Sequence, residues 1–172
     1  GCLGIQADAG DIDTIEPVLQ QVVDRLGVTD SLFLNAGIAR HSTLGTATTE
    51  ALDEMIDLPV KGPFFTIQKA VRMRADGSSI VITTSINNRI GMPRTHLYAA
   101  TTAAARPMVP TLAQELGPRQ IRVNALSPGP VITHTGHPTR VPAQDGQELA
   151  ASGLGQAPWN RVPQAQQLGA AA

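Results

Sequence analysis

Short apolar segments alternate with longer helical patterns along the chain, and this alternation limits the fold more than any other feature. The apolar segments are four to six residues long and lie at residues 3–7, 31–34, 79–84 and 121–126. Helical patterns separate them, at 15–26, from Thr48 or Thr49 to residue 58, and at 97–116. Because the apolar segments show no two-residue alternation, they are typical of a parallel sheet covered on both faces. The sequence therefore predicts an α/β fold.

The first predicted helix has clear boundary signals. Asp13 and Glu16 stand at the spacing of a capping box, and Pro17 falls in the first turn, where proline is tolerated. Gly27 follows the last apolar residue of the pattern and is a suitable stop. These signals predict a helix that begins after the first apolar segment and ends before the second.

Composition and charge exclude several classes of protein. The 172 residues are enough for one domain with a core, and 13 basic against 14 acidic side chains argue against a strong basic field for nucleic acid. A single cysteine, Cys2, excludes an intramolecular disulfide framework, and the four histidines show no ligand spacing, so no metal site is expected. We find neither a membrane-length apolar run nor a signal peptide, and expect a cytoplasmic protein without a membrane partner. The basic side chains Lys61, Lys69, Arg72 and Arg74 are interpreted as a solvated helix face.

Polar or glycine-containing clusters follow all four predicted strands, where functional residues of parallel sheets lie. They are Asp8, the run Asn35-Ala36-Gly37, Ser85 and the pair Pro128-Gly129. Tyr98 opens the third helix thirteen positions after Ser85. A serine hydroxyl can hold a substrate oxygen while a phenol passes a proton to or from it. This pattern favours chemistry between a carbonyl and an alcohol.

Each of these residues also has a purely structural interpretation. Asp8 is equally suited to begin a turn or cap the first helix, and Asn35 and Gly37 are common turn formers. Ser85 could cap a turn at the strand end, and Tyr98 could be a half-buried helix residue with a solvated hydroxyl. The functional interpretation depends on the four clusters occurring together and in order.

Taken in order, these motifs resemble those of the short-chain dehydrogenase/reductase family from Ile5 to Thr133. Asn35-Ala36-Gly37 is similar to the family's Asn-Ala-Gly motif, and Ser85 with Tyr98 to its serine–tyrosine pair. Residues 124–130, Asn-Ala-Leu-Ser-Pro-Gly-Pro, are similar to its Asn-x-x-x-Pro-Gly segment. The resemblance implies that Ser85 and Tyr98 are catalytic, and that the cofactor-binding residues are Asp8, Asn35, Ala36, Gly37, Pro128, Gly129, Val131 and Thr133.

The resemblance also implies what the protein acts with. The cofactor would be NAD or NADP, the partner a small carbonyl or alcohol substrate, and the reaction a hydride transfer between them. Family members often form oligomers through two long helices, which correspond here to residues 49–69 and 97–116. The sequence gives no basis for choosing between NAD and NADP.

Four positions depart from the family pattern. The lysine of its Tyr-x-x-x-Lys motif is replaced by Thr102, which carries no charge, and the asparagine of its proton relay is replaced by Pro59. Pro59, and Pro107 with Pro110 in the third helix, remove backbone donors and are expected to break the helices, at about 3 kcal/mol or more each. These departures favour a second hypothesis, a catalytically silent relative that acts as a binding or structural module or is a decayed fragment.

The resemblance defines the expected fold in more detail. The family's glycine-rich Thr-Gly-x-x-x-Gly-x-Gly motif does not occur in these 172 residues, and residues 3–7 resemble its third strand. We therefore expect a partial Rossmann-like, doubly wound parallel sheet that lacks the first two strands and the last. Residues 1–132 would form this incomplete domain, and 133–172 its substrate loop and C-terminal segment. Pairing of residues 3–7 with 31–34 would indicate a sheet closed over the gap.

Overall fold

Three parallel strands form one sheet in the computed structural model of the protein, which describes residues 2–129. The strands are β1 (Thr29–Leu34), β2 (Arg74–Thr83) and β3 (Arg122–Leu126), in the order β1-β2-β3. The helices of this part of the chain are α1 (Ile12–Leu26), α2 (Thr49–Ile56), α3 (Gly62–Ala70) and α4 (His96–Leu116). The predicted α/β class with a parallel sheet is confirmed. Val131, Thr133 and the predicted segment 133–172 lie outside the described residues.

The core lies on one face of the sheet. Leu32 of β1 pairs with Ile80 of β2, which pairs with Val123 of β3, so these side chains share a face. They pack against α3 and α4 in a cluster that contains Ile67, Ile80, Ile82, Ala105, Leu116, Ile121 and Val123. Phe33 points to the other face and is 49% exposed. Burial therefore alternates along the strands, although the sequence does not, and in residues 2–129 the two faces are not equally covered.

The prediction of a strand at residues 3–7 is wrong. These residues form no ladder, and the open side of β1 pairs with no described strand. A strand needs a neighbour for its backbone groups, and apolar character alone does not supply one. The segment therefore neither closes the sheet onto β1 nor extends it.

The first helix begins three residues before its predicted start, at Ile12 in place of residue 15, so Pro17 is its sixth residue and the prediction that Pro17 falls in the first turn is wrong. Asp11 is the cap, since its carboxylate accepts the Asp13 N–H at 3.0 Å, so the capping box predicted from Asp13 and Glu16 is wrong. Gly27 ends the helix as predicted, with a φ of 76° that favours glycine.

The prediction that Pro59, Pro107 and Pro110 break their helices is wrong. Pro59 lies in a π-helical turn, Asp57–Lys61, that joins α2 to α3 and closes with a bond from the Gly62 N–H to the Asp57 carbonyl. The wider π turn accommodates the proline, and the helical segment continues into α3. α4 is continuous through Pro107 and Pro110, because its Ala105 and Leu116 are buried in the core and hold the helix by packing.

The predicted solvated basic face is wrong for Arg74, which is 6% exposed. Its guanidinium donates to the Thr29 and Ser78 hydroxyls and to the Ser79 carbonyl, and burial lowers its pKa. Arg74 therefore ties the amino ends of β1 and β2 together, away from the candidate site. No helix among the described residues is long and apolar enough to cross a membrane.

Candidate functional site

Ser85 follows β2 and begins a single 3-10 turn, Ile86–Asn88. Its side-chain oxygen accepts the Asn87 N–H at 3.2 Å, and the residue is 7% exposed. A hydroxyl that accepts in this way keeps its own proton available for another acceptor. The serine is thus oriented by the turn that it caps, and its structural interpretation as a cap is compatible with the functional one.

Tyr98 lies in the first turn of α4 and is half-buried. α4 packs against the turn that Ser85 begins, so the two predicted catalytic residues lie on neighbouring elements. The start of the helix is anchored by Thr95, 1% exposed, whose hydroxyl donates to the Met92 carbonyl at 2.8 Å. A buried anchor three positions away fixes the backbone from which the phenol projects.

Thr102, at the position of the family's lysine, has its hydroxyl engaged by its own helix. The hydroxyl donates to the Tyr98 carbonyl at 2.8 Å and lies near the Ala99 carbonyl at 3.3 Å. Thr102 is 6% exposed. Because the hydroxyl has one proton, this side chain offers Tyr98 neither a charge nor a free donor.

Pro128 and Gly129 are held beside the Ser85 segment. The Ile86 N–H donates to the Pro128 carbonyl at 3.0 Å, and the Thr84 N–H to the Leu126 carbonyl at 2.7 Å. Ser85 therefore lies between two residues that are both bonded to the end of β3. The structure thus brings together Ser85, Pro128 and Gly129.

Asp8, Asn35 and Ala36 line one cavity of about 220 Å³ at the carboxyl end of β1. The Asn35 side-chain carbonyl accepts the Thr83 hydroxyl at 3.0 Å, which links the ends of β1 and β2. Gly37 does not line the cavity, and a side chain there would meet open space. Three predicted cofactor residues thus share a cavity, and Gly37 lies outside it.

Asp8 also performs the structural role that the sequence left open. Its carboxylate accepts the Gly10 N–H at 2.9 Å, and its carbonyl accepts the Thr14 hydroxyl at 2.8 Å. The turn that it begins is pressed against α3, since a Cβ at Gly62 would lie 2.3 Å from the Ala9 carbonyl oxygen. Asp8 therefore shapes the cavity wall and lines it.

The loop after Asn35 is tied to two helices. Arg40 forms a two-pronged ion pair with Glu54 of α2, at 2.7 and 2.8 Å, and the Ser42 N–H donates to the Arg94 carbonyl just before α4. The Arg40 hydrogen bonds lower the pKa of Glu54. Among residues 2–129 no group of three His, Cys, Asp or Glu side chains could hold a metal ion.

Sequence reasoning missed Thr84, Asn88 and Ser127, which form a polar cluster beside Ser85. Thr84 and Ser127 are in hydroxyl–hydroxyl contact, and the Asn88 amide lies 3.4 Å from both oxygens. The available signal was a hydroxyl residue directly before each of two strand-end motifs, Ser85 and Pro128-Gly129.

The sequence matches a family model described as enoyl-(acyl carrier protein) reductase over residues 1–172. The 3-oxoacyl-(acyl-carrier-protein) reductase FabG of Staphylococcus aureus is 34% identical over 131 residues, which are 75% of this chain and 53% of that protein. The chain spans about half the length of the curated relatives it matches.

Solved structures share the fold. A short-chain dehydrogenase/reductase from Serratia marcescens has a TM-score of 0.84 and 29% identity, covering 94% of this chain and 64% of its own. A short-chain dehydrogenase from Burkholderia cenocepacia, in complex with NADP, has a TM-score of 0.83 and 30% identity, with 96% and 65% covered.

Proposed function

Because the chain belongs to the short-chain dehydrogenase/reductase family, we propose that it carries the acid–base half of an NAD(P)-dependent site for interconversion of an alcohol and a carbonyl. The observation that carries the proposal is the placement of Ser85 between two residues bonded to the β3 end, beside the helix that bears Tyr98. The proposed substrate is a small carbonyl or alcohol compound, and the proposed cofactor is NAD or NADP.

The nucleotide would lie along the carboxyl ends of the strands. Asp8, Asn35 and Ala36 line a cavity at the end of β1, and Pro128 with Gly129 are held at the end of β3. Val131 and Thr133, which lie outside the described residues, would continue this set. A bound nicotinamide nucleotide supplies or accepts the hydride. A relative crystallised with NADP supports this class of cofactor without deciding between NAD and NADP.

The protein's own part is to hold the substrate oxygen and move a proton. The Ser85 hydroxyl accepts from the Asn87 N–H and so directs its proton toward the substrate oxygen. In the reduction direction, the substrate oxygen takes the Tyr98 phenolic proton, and the resulting phenolate regains a proton from solvent. In oxidation the phenolate form of Tyr98 receives the proton of the alcohol and becomes the phenol.

Titration of the 172-residue chain with NADH and with NADPH, followed by cofactor fluorescence, tests the proposal. We expect saturable binding that Asn35→Ala weakens and Tyr98→Phe leaves intact, because Asn35 lines the nucleotide cavity and the phenol acts only in proton transfer. Ser31→Ala, within β1 and outside the cavity lining, serves as control. If neither nucleotide binds at millimolar concentration, this chain does not form the site.

A second function, ligand binding without turnover, is favoured by Thr102. Its hydroxyl is engaged by the Tyr98 carbonyl, so nothing at that position stabilises a phenolate. Ser85 and Tyr98 would then hold a carbonyl or alcohol ligand through neutral hydrogen bonds. Homo-oligomerisation through residues 49–69 and 97–116 is compatible with either function and is proposed with both.

Thr102→Lys separates the two functions. A cation one helical turn after Tyr98 favours the ionised phenol, and acid–base catalysis of this kind contributes about 100-fold or more. We expect the lysine variant to reduce a carbonyl substrate with NADPH at least about tenfold faster than Thr102→Met, which matches its bulk without its charge. Equal rates in the two variants would contradict the idea that the missing charge limits turnover.

A further inference from the structure

Contacts between β2 and β3 continue past the ends of the two strands. The last paired residues are Thr83 and Leu126. Beyond them, the Thr84 N–H donates to the Leu126 carbonyl and the Ile86 N–H to the Pro128 carbonyl. These two backbone bonds hold the segments that follow β2 and β3 side by side beyond the last paired residues.

Side-chain hydroxyls also join these two segments. The Thr84 and Ser127 hydroxyls are hydrogen-bonded to each other, and either can be the donor, while the Thr84 hydroxyl also lies 3.3 Å from the Leu126 carbonyl. The Asn88 amide nitrogen lies 3.4 Å from both oxygens and caps the pair. Thr84 is 5% exposed, and a hydrogen bond shielded from water is lost at greater cost than an exposed one.

We propose that Thr84 and Ser127 are positioning residues whose hydroxyl pair fixes the loop carrying Pro128 and Gly129 against the segment carrying Ser85. Neither side chain touches the reacting atoms in this assignment. The pair sets the separation between the residue that holds the substrate oxygen and the loop that would contact the nucleotide. The consequence for the cofactor rests on the proposed function, whereas the mechanical role of the pair does not.

Amide hydrogen exchange at Ile86 tests whether the hydroxyl pair holds the loop, because the Ile86 N–H donates the hydrogen bond that joins the Ser85 segment to Pro128. We expect exchange about five- to tenfold faster in Ser127→Ala and in Thr84→Val, which keeps the shape but removes the hydroxyl. Thr84→Ser keeps the hydroxyl and should retain the wild-type rate. Exchange at Ile80, in the centre of the sheet, should be unchanged in every variant.

Ser31→Ala is the matched control. Ser31 and Ser79 form another cross-strand hydroxyl pair, 3.0 Å apart, within the ladder between β1 and β2. Its removal should leave the Ile86 amide at the wild-type rate. The proposal is overturned if Ser127→Ala leaves exchange at Ile86 unchanged, or if it accelerates Ile80 by the same factor, since that would mean general destabilisation.

NADPH titration of the same variants separates this proposal from the proposed function. Where the wild-type chain binds NADPH, Ser127→Ala should weaken binding about fivefold and Ser31→Ala should not. Where the wild-type chain binds no nucleotide, the proposed function fails, and exchange at Ile86 still decides whether the hydroxyl pair holds the loop.

Discussion

Gly62 marks a close backbone approach beside the candidate cavity. A Cβ there would lie 2.3 Å from the Ala9 carbonyl oxygen, and backbone atoms cannot move aside as a flexible side chain can. We expect Gly62→Ala to lower the free energy of unfolding by about 1–3 kcal/mol, as overpacking usually does. Urea unfolding followed by circular dichroism measures the change.

Gly45 provides the comparison for Gly62. A Cβ at Gly45 meets nothing within 4 Å, so Gly45→Ala should leave the free energy of unfolding nearly unchanged. Equal stability of the two alanine variants would show that the turn containing Ala9 is not pressed against the start of α3. In that case the wall of the cavity next to Asp8 would not be fixed.

The Arg40–Glu54 pair makes the stability of the loop after Asn35 depend on pH. Arg40 lowers the pKa of Glu54 in the folded protein through its hydrogen bonds, so the unfolded chain binds a proton more readily than the folded one. The stabilisation is therefore present above the unfolded-state pKa of the carboxylate and is lost as the pH falls through the folded-state value. Because both side chains are partly exposed, it amounts to less than about 1 kcal/mol.

Glu54→Gln tests this dependence. The variant should be less stable than wild type at neutral pH, and the two should converge in acid below the folded-state pKa, as measured by urea unfolding. Glu16→Gln is a suitable control, because its carboxylate lies 3.8 Å from Lys69 and is largely exposed. A Glu54→Gln difference of the same size in acid and at neutral pH would mean that the ion pair is not its cause.

At the scale of elements, α4 persists in spite of two interior prolines. Pro107 and Pro110 cannot donate to the carbonyls of Ala103 and Arg106, and both prolines are exposed. Alanine restores those donors, and we expect Pro107→Ala and Pro110→Ala each to raise the free energy of unfolding by about 1–3 kcal/mol. Pro17 is the sixth residue of α1 and cannot donate to the Asp13 carbonyl, so Pro17→Ala should be stabilising as well. Urea unfolding measures the change, and no gain in any of the three variants would contradict this explanation.

Element boundaries were predictable only where the signal is local. The apolar runs at 31–34, 79–84 and 121–126 lie within or beside the observed strands, and Gly27 and Thr48 mark real helix boundaries. β2 begins well before its apolar run, at Arg74, whose side chain bonds across to Thr29 of β1. The run at 3–7 forms no strand because pairing depends on a neighbour. Neither long-range effect is encoded in a window of sequence.

At the scale of the whole molecule, the parallel topology explains why much of the candidate site could be anticipated. Parallel strands end at one edge of the sheet, so residues after strand ends, such as Asn35 and Ser85, are expected at that edge. The contact between Thr84 and Ser127 could not be anticipated, because it depends on the register of β2 against β3. The hydrogen bond from the Thr102 hydroxyl to the Tyr98 carbonyl could not be anticipated either, because it depends on the side-chain rotamer of Thr102 within α4.

The position of the core on one face gives a prediction that sequence hydrophobicity would not. Ile82 and Phe33 are both large apolar strand residues, yet Ile82 is 1% exposed beneath the helices and Phe33 is 49% exposed on the other face. Ile82→Ala should lower the free energy of unfolding by about 2–5 kcal/mol, because it leaves a cavity in the core. Phe33→Ala removes more atoms but should cost less than half as much, since much of the ring is already in water. Urea unfolding of both variants measures the two losses of unfolding free energy. A larger loss for Phe33→Ala would mean that the second face of the sheet is covered in solution.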